Sequence, residues 1–132
     1  MRITLTLIGL VTFAVLGMAT LIAGQAPTFK RTELQRADIS IPGKEVVTAI
    51  AELPTGVTSG RHTHPGEEAG YVLEGSILLE VAGKPPMTLK AGQAFVVPAV
   101  AVHSALNNGS GGAKVLSTYI IEKGKPVASP VQ

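Results

Sequence analysis

This 132-residue chain has only three histidines, and two of them sit one residue apart. They lie in "SGRHTHPGEEAGYVLEG", residues 59 to 75, with Glu67 and Glu68 just behind. In an extended strand, residues i and i+2 point to the same face. His62 and His64 therefore aim at one point, while Arg61 and Thr63 turn away. Pro65-Gly66 reverses the chain, so that Glu68 can return a carboxylate to that point from the neighbouring strand. His103 lies far downstream, beyond a proline turn at Pro98, and can meet the others only through the fold. Three imidazoles and a carboxylate make a three-nitrogen, one-oxygen set. Such a set suits a first-row divalent metal ion and leaves positions open for water, dioxygen or substrate.

Taken singly, each feature has a plainer reading. An H-x-H is usually a surface pair, and Gly56, Gly75, Gly92 and Pro98 are ordinary turn formers. Their joint spacing says more. "GVTSGRHTHPGEEAGYVLEG" and "GQAFVVPAVAVHSALN" resemble the two motifs of the cupin superfamily. The first motif sets Gly56, His62, His64, Glu68 and Gly75 at the family's intervals, over residues 56 to 75. The second sets Gly92, Pro98, His103 and Asn107, over residues 92 to 107. One position departs: Val100 stands where the family has glycine. A β-branched residue disfavours positive φ, so the turn before His103 is expected to differ in shape.

The resemblance implies an all-β fold, a single small jelly-roll barrel with the metal inside near one mouth. It implies His62, His64, Glu68 and His103 as ligands. Glu67 is the competing carboxylate. Alternation and the family interval favour Glu68, which leaves Glu67 at the rim or behind the ligands. The implied cofactor is a divalent transition metal: Fe, Mn or Ni by family habit, Cu or Zn by intrinsic affinity.

The elements that must position these residues are short strands. With 15 Gly and 9 Pro, breakers recur too often for long helices. "EVVTAIAEL", "VTSGRHTH", "EAGYVLEG", "SILLEVAG", "MTLKAG", "QAFVVPA", "VHSALNN" and "AKVLSTYIIE" read as strands, with turn signals between them. "PGE" and "PTG" read as turns, "GSGG" as a loop and "KGKPVASPVQ" as an extended tail. Residues 27 to 44 read as a strand or arm laid over the domain, with one possible helical turn near Glu33 to Ala37. Eight to ten such strands suit a sandwich or barrel.

The length supports one domain. The net charge of +2 comes from scattered basic residues, which argues against nucleic acid as a partner. Cysteine is absent, which excludes a disulfide framework, a thiolate nucleophile and zinc-finger or iron–sulfur ligation. Arg2 precedes an uncharged run from Ile3 to Ala23. Residues 1 to 26 are therefore read as a signal peptide or hydrophobic N-terminal anchor helix, with residues 27 to 132 as the cupin domain. The chain is expected to be exported to the periplasm or cell envelope, and to touch a membrane only through residues 1 to 26 if they are retained. The family habit of pairing through sheets and N-terminal arms implies a homodimer.

Strand parity also predicts the cavity walls. Val72, Ile77, Leu79, Val81, Phe95, Val97 and Ala105 should face inward, with Asn107 as a polar contact. No spare interior acid is evident. Arg61 is the nearest cation, and alternation turns it outward, so no cationic cluster for a sugar phosphate or dicarboxylate is expected. The expected ligand is a small, enol-like or aromatic organic molecule. Glu68 would serve as general base if it loosens from the metal. The expected activity is that of a dioxygenase, isomerase or lyase. The alternative is a non-enzymatic module that binds or senses a metal or small ligand.

Overall fold

The computed structural model describes residues 24–132, all of them extended, turn or irregular. Residues 1 to 23, which carry most of the expected leader, lie outside the described residues. Ten strands follow: β1 (Lys30–Asp38), β2 (Lys44–Leu53), β3 (His62–Thr63), β4 (Gly66–Glu74), β5 (Ser76–Val81), β6 (Met87–Lys90), β7 (Ala94–Val97), β8 (His103–Leu106), β9 (Ala113–Glu122) and β10 (Ser129–Pro130). They form two five-stranded sheets, β1-β2-β9-β4-β7 and β10-β3-β8-β5-β6.

Alternation decides which residues face the interior. Along β2, Glu45, Val47, Ala49, Ala51 and Leu53 are buried and their neighbours are not. β9 repeats the pattern with Ala113, Val115, Ser117, Tyr119 and Ile121. β5 turns Ile77, Leu79 and Val81 inward, as its parity predicts. Ile77, Leu79 and Leu53 are at most 1% exposed, and burying side chains of this size stabilises the fold by about 1.5–3 kcal/mol each. The interior apolar residues form two clusters. The larger includes Leu53, Ile77, Leu79 and Val115. The smaller is Val47, Ala49, Tyr119 and Ile121, with Val127 packed against it. On β9 the two clusters are separated by Ser117.

Three sequence expectations are corrected here. Glu33 to Ala37 form no helical turn; they belong to β1, whose register against β2 shifts between Glu33 and Gln35. The "PGE" turn is shorter than expected, because β4 already begins at Gly66. A Cβ on Gly66 would lie 1.9 Å from the Ile120 carbonyl oxygen, so only glycine lets β4 approach β9 here. As a result β3 and β4 do not pair. They lie in opposite sheets, and Glu68 reaches the histidines across the interior rather than from an adjacent strand.

Candidate metal centre

His62 opens β3 and pairs directly with His103, which opens β8. His64 follows two residues after His62, on the same inward face. Glu68 comes from β4, where it lies opposite Tyr119 of β9. All four side chains are buried. One nitrogen from each of the three histidines lies within 4.8 Å of the others, close enough to hold one ion. Glu68 Oε2 is 3.1 Å from His64 Nε2 and 3.2 Å from His103 Nε2. The structure thus brings together the four residues predicted as ligands. Glu67 points to solvent instead.

The hydrogen bonds behind the rings fix their tautomers. A backbone carbonyl only accepts, so the ring nitrogen facing it must carry the proton. Nδ1 donates to the Gly60 carbonyl in His62 (2.8 Å), to Val127 in His64 (2.5 Å) and to Ala101 in His103 (2.9 Å). In each ring this leaves Nε2 as the atom that faces the others. His103 Nε2 is buried without a hydrogen-bond partner. Nitrogen lone pairs converging on a carboxylate repel one another unless a cation lies between them. The donor set, its orientation and the unpartnered Nε2 therefore fit a divalent metal ion.

Electrostatics agree. Burial pushes His62 down to about 4; the Gly60 hydrogen bond opposes this, while His103, His64 and Arg31 add to it. His62 is thus neutral and ligand-ready near pH 7. Burial alone would raise the Glu68 carboxyl, but the neighbouring His103, His64 and Ser117 side chains outweigh it and hold the group well below its ordinary value. Ser117 Oγ donates to Glu68 Oε1 at 2.6 Å.

The cavity beside this cluster is lined by Ile77, Leu79, Phe95 and Ala105, all predicted to face inward. Val72, Val81 and Val97 are buried core residues away from it. Asn107 is corrected: it does not line this cavity. Its Nδ2 donates to the Leu53 and Gly111 carbonyls, both at 2.8 Å, and its Oδ1 accepts from Gly109 N at 2.9 Å. It clamps the loop before β9.

Val100 is also corrected. The turn keeps a glycine-like backbone, with Val100 at φ 55°. Its N–H donates to the His64 carbonyl at 3.0 Å, and the side chain is 71% exposed, clear of neighbours that could clash. The site retains the turn geometry and the strain falls on Val100.

The cavity residues missed from sequence include Tyr119 and Arg31. Tyr119 is fully buried beside His64, and burial, reinforced by Glu68, pushes its phenol up to about 12 against the pull of Arg31 and Ser117. It is an interior O–H donor where none was expected. Alternation along β9 carried a signal for it, since Ser117 and Tyr119 share the parity of Val115 and Ile121. Arg31 of β1 overturns the expectation that Arg61 is the nearest cation. Its Nη2 lies 3.4 Å from His62 Nε2. Arg31 pairs with Ala51, an inward position, but that register depends on long-range pairing and leaves no local mark in the sequence.

Residues 49–119 match the cupin domain family, and the chain belongs to it. It is 33% identical over 79 residues to the HTH-type transcriptional regulator PuuR of Escherichia coli (strain K12), over 59% of this chain. The chain spans 42% of the length of that curated relative. Among solved structures, an oxalate oxidase in complex with the substrate analogue glycolate superposes with a TM-score of 0.64 at 24% identity, over 78% of this chain and 55% of that one. A cupin superfamily protein from Desulfitobacterium hafniense DCB-2 superposes with a TM-score of 0.62 at 19% identity, over 89% of this chain and all of that one (100%). At such identities the likeness is one of fold.

Proposed function

We propose that this chain is an exported, metal-dependent cupin that acts on a small organic molecule inside its barrel. The observation that carries the reading is the convergence of three Nε2 atoms and the Glu68 carboxylate, with every Nδ1 tied back to a carbonyl. His62, His64, His103 and Glu68 would hold the ion. The ion supplies Lewis-acid or dioxygen chemistry when bound. Glu68 would accept a proton once it loosens from the ion, and the Tyr119 phenol would offer one. The apolar walls exclude water. The cavity is small, about 30 Å³ for water-sized spheres. One water centre needs roughly 10–15 Å³, so the space suits a molecule of a few heavy atoms better than a substituted aromatic ring. The fold shared with an oxalate oxidase supports an enzyme of the dioxygenase, isomerase or lyase kind.

The uncharged run from Ile3 to Ala23 supports export to the periplasm or cell envelope. The edge position of β1 supports a homodimer through the N-terminal arm. A second reading, a ligand-sensing module without turnover, draws on the similarity to a transcriptional regulator.

The test is metal analysis of protein purified from its native compartment, beside a His62→Ala/His64→Ala double variant. One ion per wild-type chain and none in the variant is expected; equal metal content in both defeats the assignment. Oxygen uptake and product analysis against phenols, flavonoids, diketones and glycolate then separate the two readings. Tight binding without turnover, whichever metal is loaded, selects the sensing module.

A further inference from the structure

Arg31 has an environment unlike that of a structural arginine. Its guanidinium carbon lies 5.2 Å from the Phe29 ring centroid and 5.8 Å from that of Tyr119, so aromatic faces hold it in place. Among the described residues no carboxylate pairs with it. Its Nε is buried and has no acceptor. Among the described residues its Nη2 has one hydrogen-bond partner, the His62 Nε2 lone pair at a long 3.4 Å. A metal ion held by His62 would take up that lone pair, which would leave both Nε–H and Nη2–H without an acceptor among the described residues. Two parallel N–H groups of one guanidinium edge match the two oxygens of a carboxylate.

The approach to this edge is cationic as well. The inner cavity and an outer pocket share Phe29, Arg31, Ser59 and His62. Among the described residues, the charged side chains lining the outer pocket are Arg31 and Arg61. A mouth lined by one sign of charge draws in ligands of the other.

We propose that Arg31 is a substrate-binding residue that selects small organic carboxylates, pairing with the carboxylate beside the metal ligands. This rests on the proposed metal centre and adds the class of substrate it serves. The few-atom cavity restricts the class to short aliphatic acids. Arg61 helps to draw them in from outside.

The experiment is calorimetric titration of the full chain, zinc-loaded and metal-free, with glycolate, its neutral counterpart glycolamide and inorganic phosphate. Wild type is compared with Arg31→Gln and Arg31→Lys, each checked for metal content and melting temperature. Glycolate should bind wild type, with a loss of about tenfold or more in Arg31→Gln and partial recovery in Arg31→Lys, while metal content stays unchanged. Glycolamide and phosphate should bind at least about tenfold more weakly than glycolate. If wild type and Arg31→Gln bind glycolate equally, or glycolamide or phosphate matches it, the proposal is overturned. Absence of glycolate binding to wild type in both forms also overturns it. Should wild type hold no metal, the metal-centre reading fails, and the metal-free titration still decides the role of Arg31.

Discussion

The backbone carbonyl of Val127 accepts the Nδ1 proton of His64, 63 residues earlier in the chain, at 2.5 Å. The C-terminal tail therefore sets the orientation of a central ring. It also lays β10 against β3, pairing Pro130 with His62. A chain ending at Gly124 keeps the Gly124 N–H bond to Glu45 and all of β9. Partners behind a metal-bound histidine are worth about 10- to 100-fold in affinity. The shortened chain should remain folded by circular dichroism and bind zinc about 10- to 100-fold more weakly. Undiminished affinity would show that the tail plays no part in orienting His64.

Ser117→Ala removes the hydroxyl donor to a buried carboxylate. Hydrogen bonds to charged groups contribute about 1.5–3 kcal/mol. Metal-free Ser117→Ala should lose stability in that range by urea denaturation. Zinc affinity should fall as well, because Glu68 is less firmly aimed. A change below about 0.5 kcal/mol, the scatter expected of surface substitutions, would mean that the Ser117 bond is not maintained in solution.

Val100→Gly relieves a left-handed backbone position. A non-glycine residue held there costs of order 1–3 kcal/mol, while glycine gives back about 0.4–1 kcal/mol through its freer unfolded chain. The exposed Val100 side chain loses little burial. The variant should gain about 1 kcal/mol, seen as a melting temperature a few degrees higher. A lower melting temperature would show that the valine side chain contributes more than its exposure indicates.

Gly66→Ala tests the corner between β3 and β4. The added methyl meets the Ile120 carbonyl, a backbone atom that cannot swing aside. Overpacking costs about 1–3 kcal/mol, and a backbone clash belongs at the upper end. Denaturation should show a loss near 3 kcal/mol, with zinc affinity falling as the corner shifts. Wild-type stability would mean that β4 stands further from β9 than described.

His62, His64 and Glu68 were legible in the sequence because they lie at short intervals, while His103 was legible only through the resemblance to the second cupin motif. His62 and His64 share a face by parity, and Glu68 follows within one turn. The inward stripe of β5 was legible for the same reason. What remained hidden depends on pairing between distant segments. Arg31 enters the cavity only because β1 sits in one register on β2. Val127 acts through its carbonyl, an atom every residue has, so no residue type could announce it. Asn107 carried a polar amide at an inward parity, but loop carbonyls from Leu53 and Gly111 take up its donors. Val100 violated a local preference and the backbone kept its left-handed turn regardless, since hydrogen bonds from Val100 to His64 and from His103 to Ala101 hold the turn.

His62 and His103 belong to one sheet and Glu68 to the other, and β3, the segment between them and the corner, has just two residues. An ion gripped by all three would rivet two walls whose interior contact is otherwise mostly side-chain packing. Its escape then requires the walls to part. The speed at which such an ion exchanges with solvent becomes a clock for the breathing of the barrel itself.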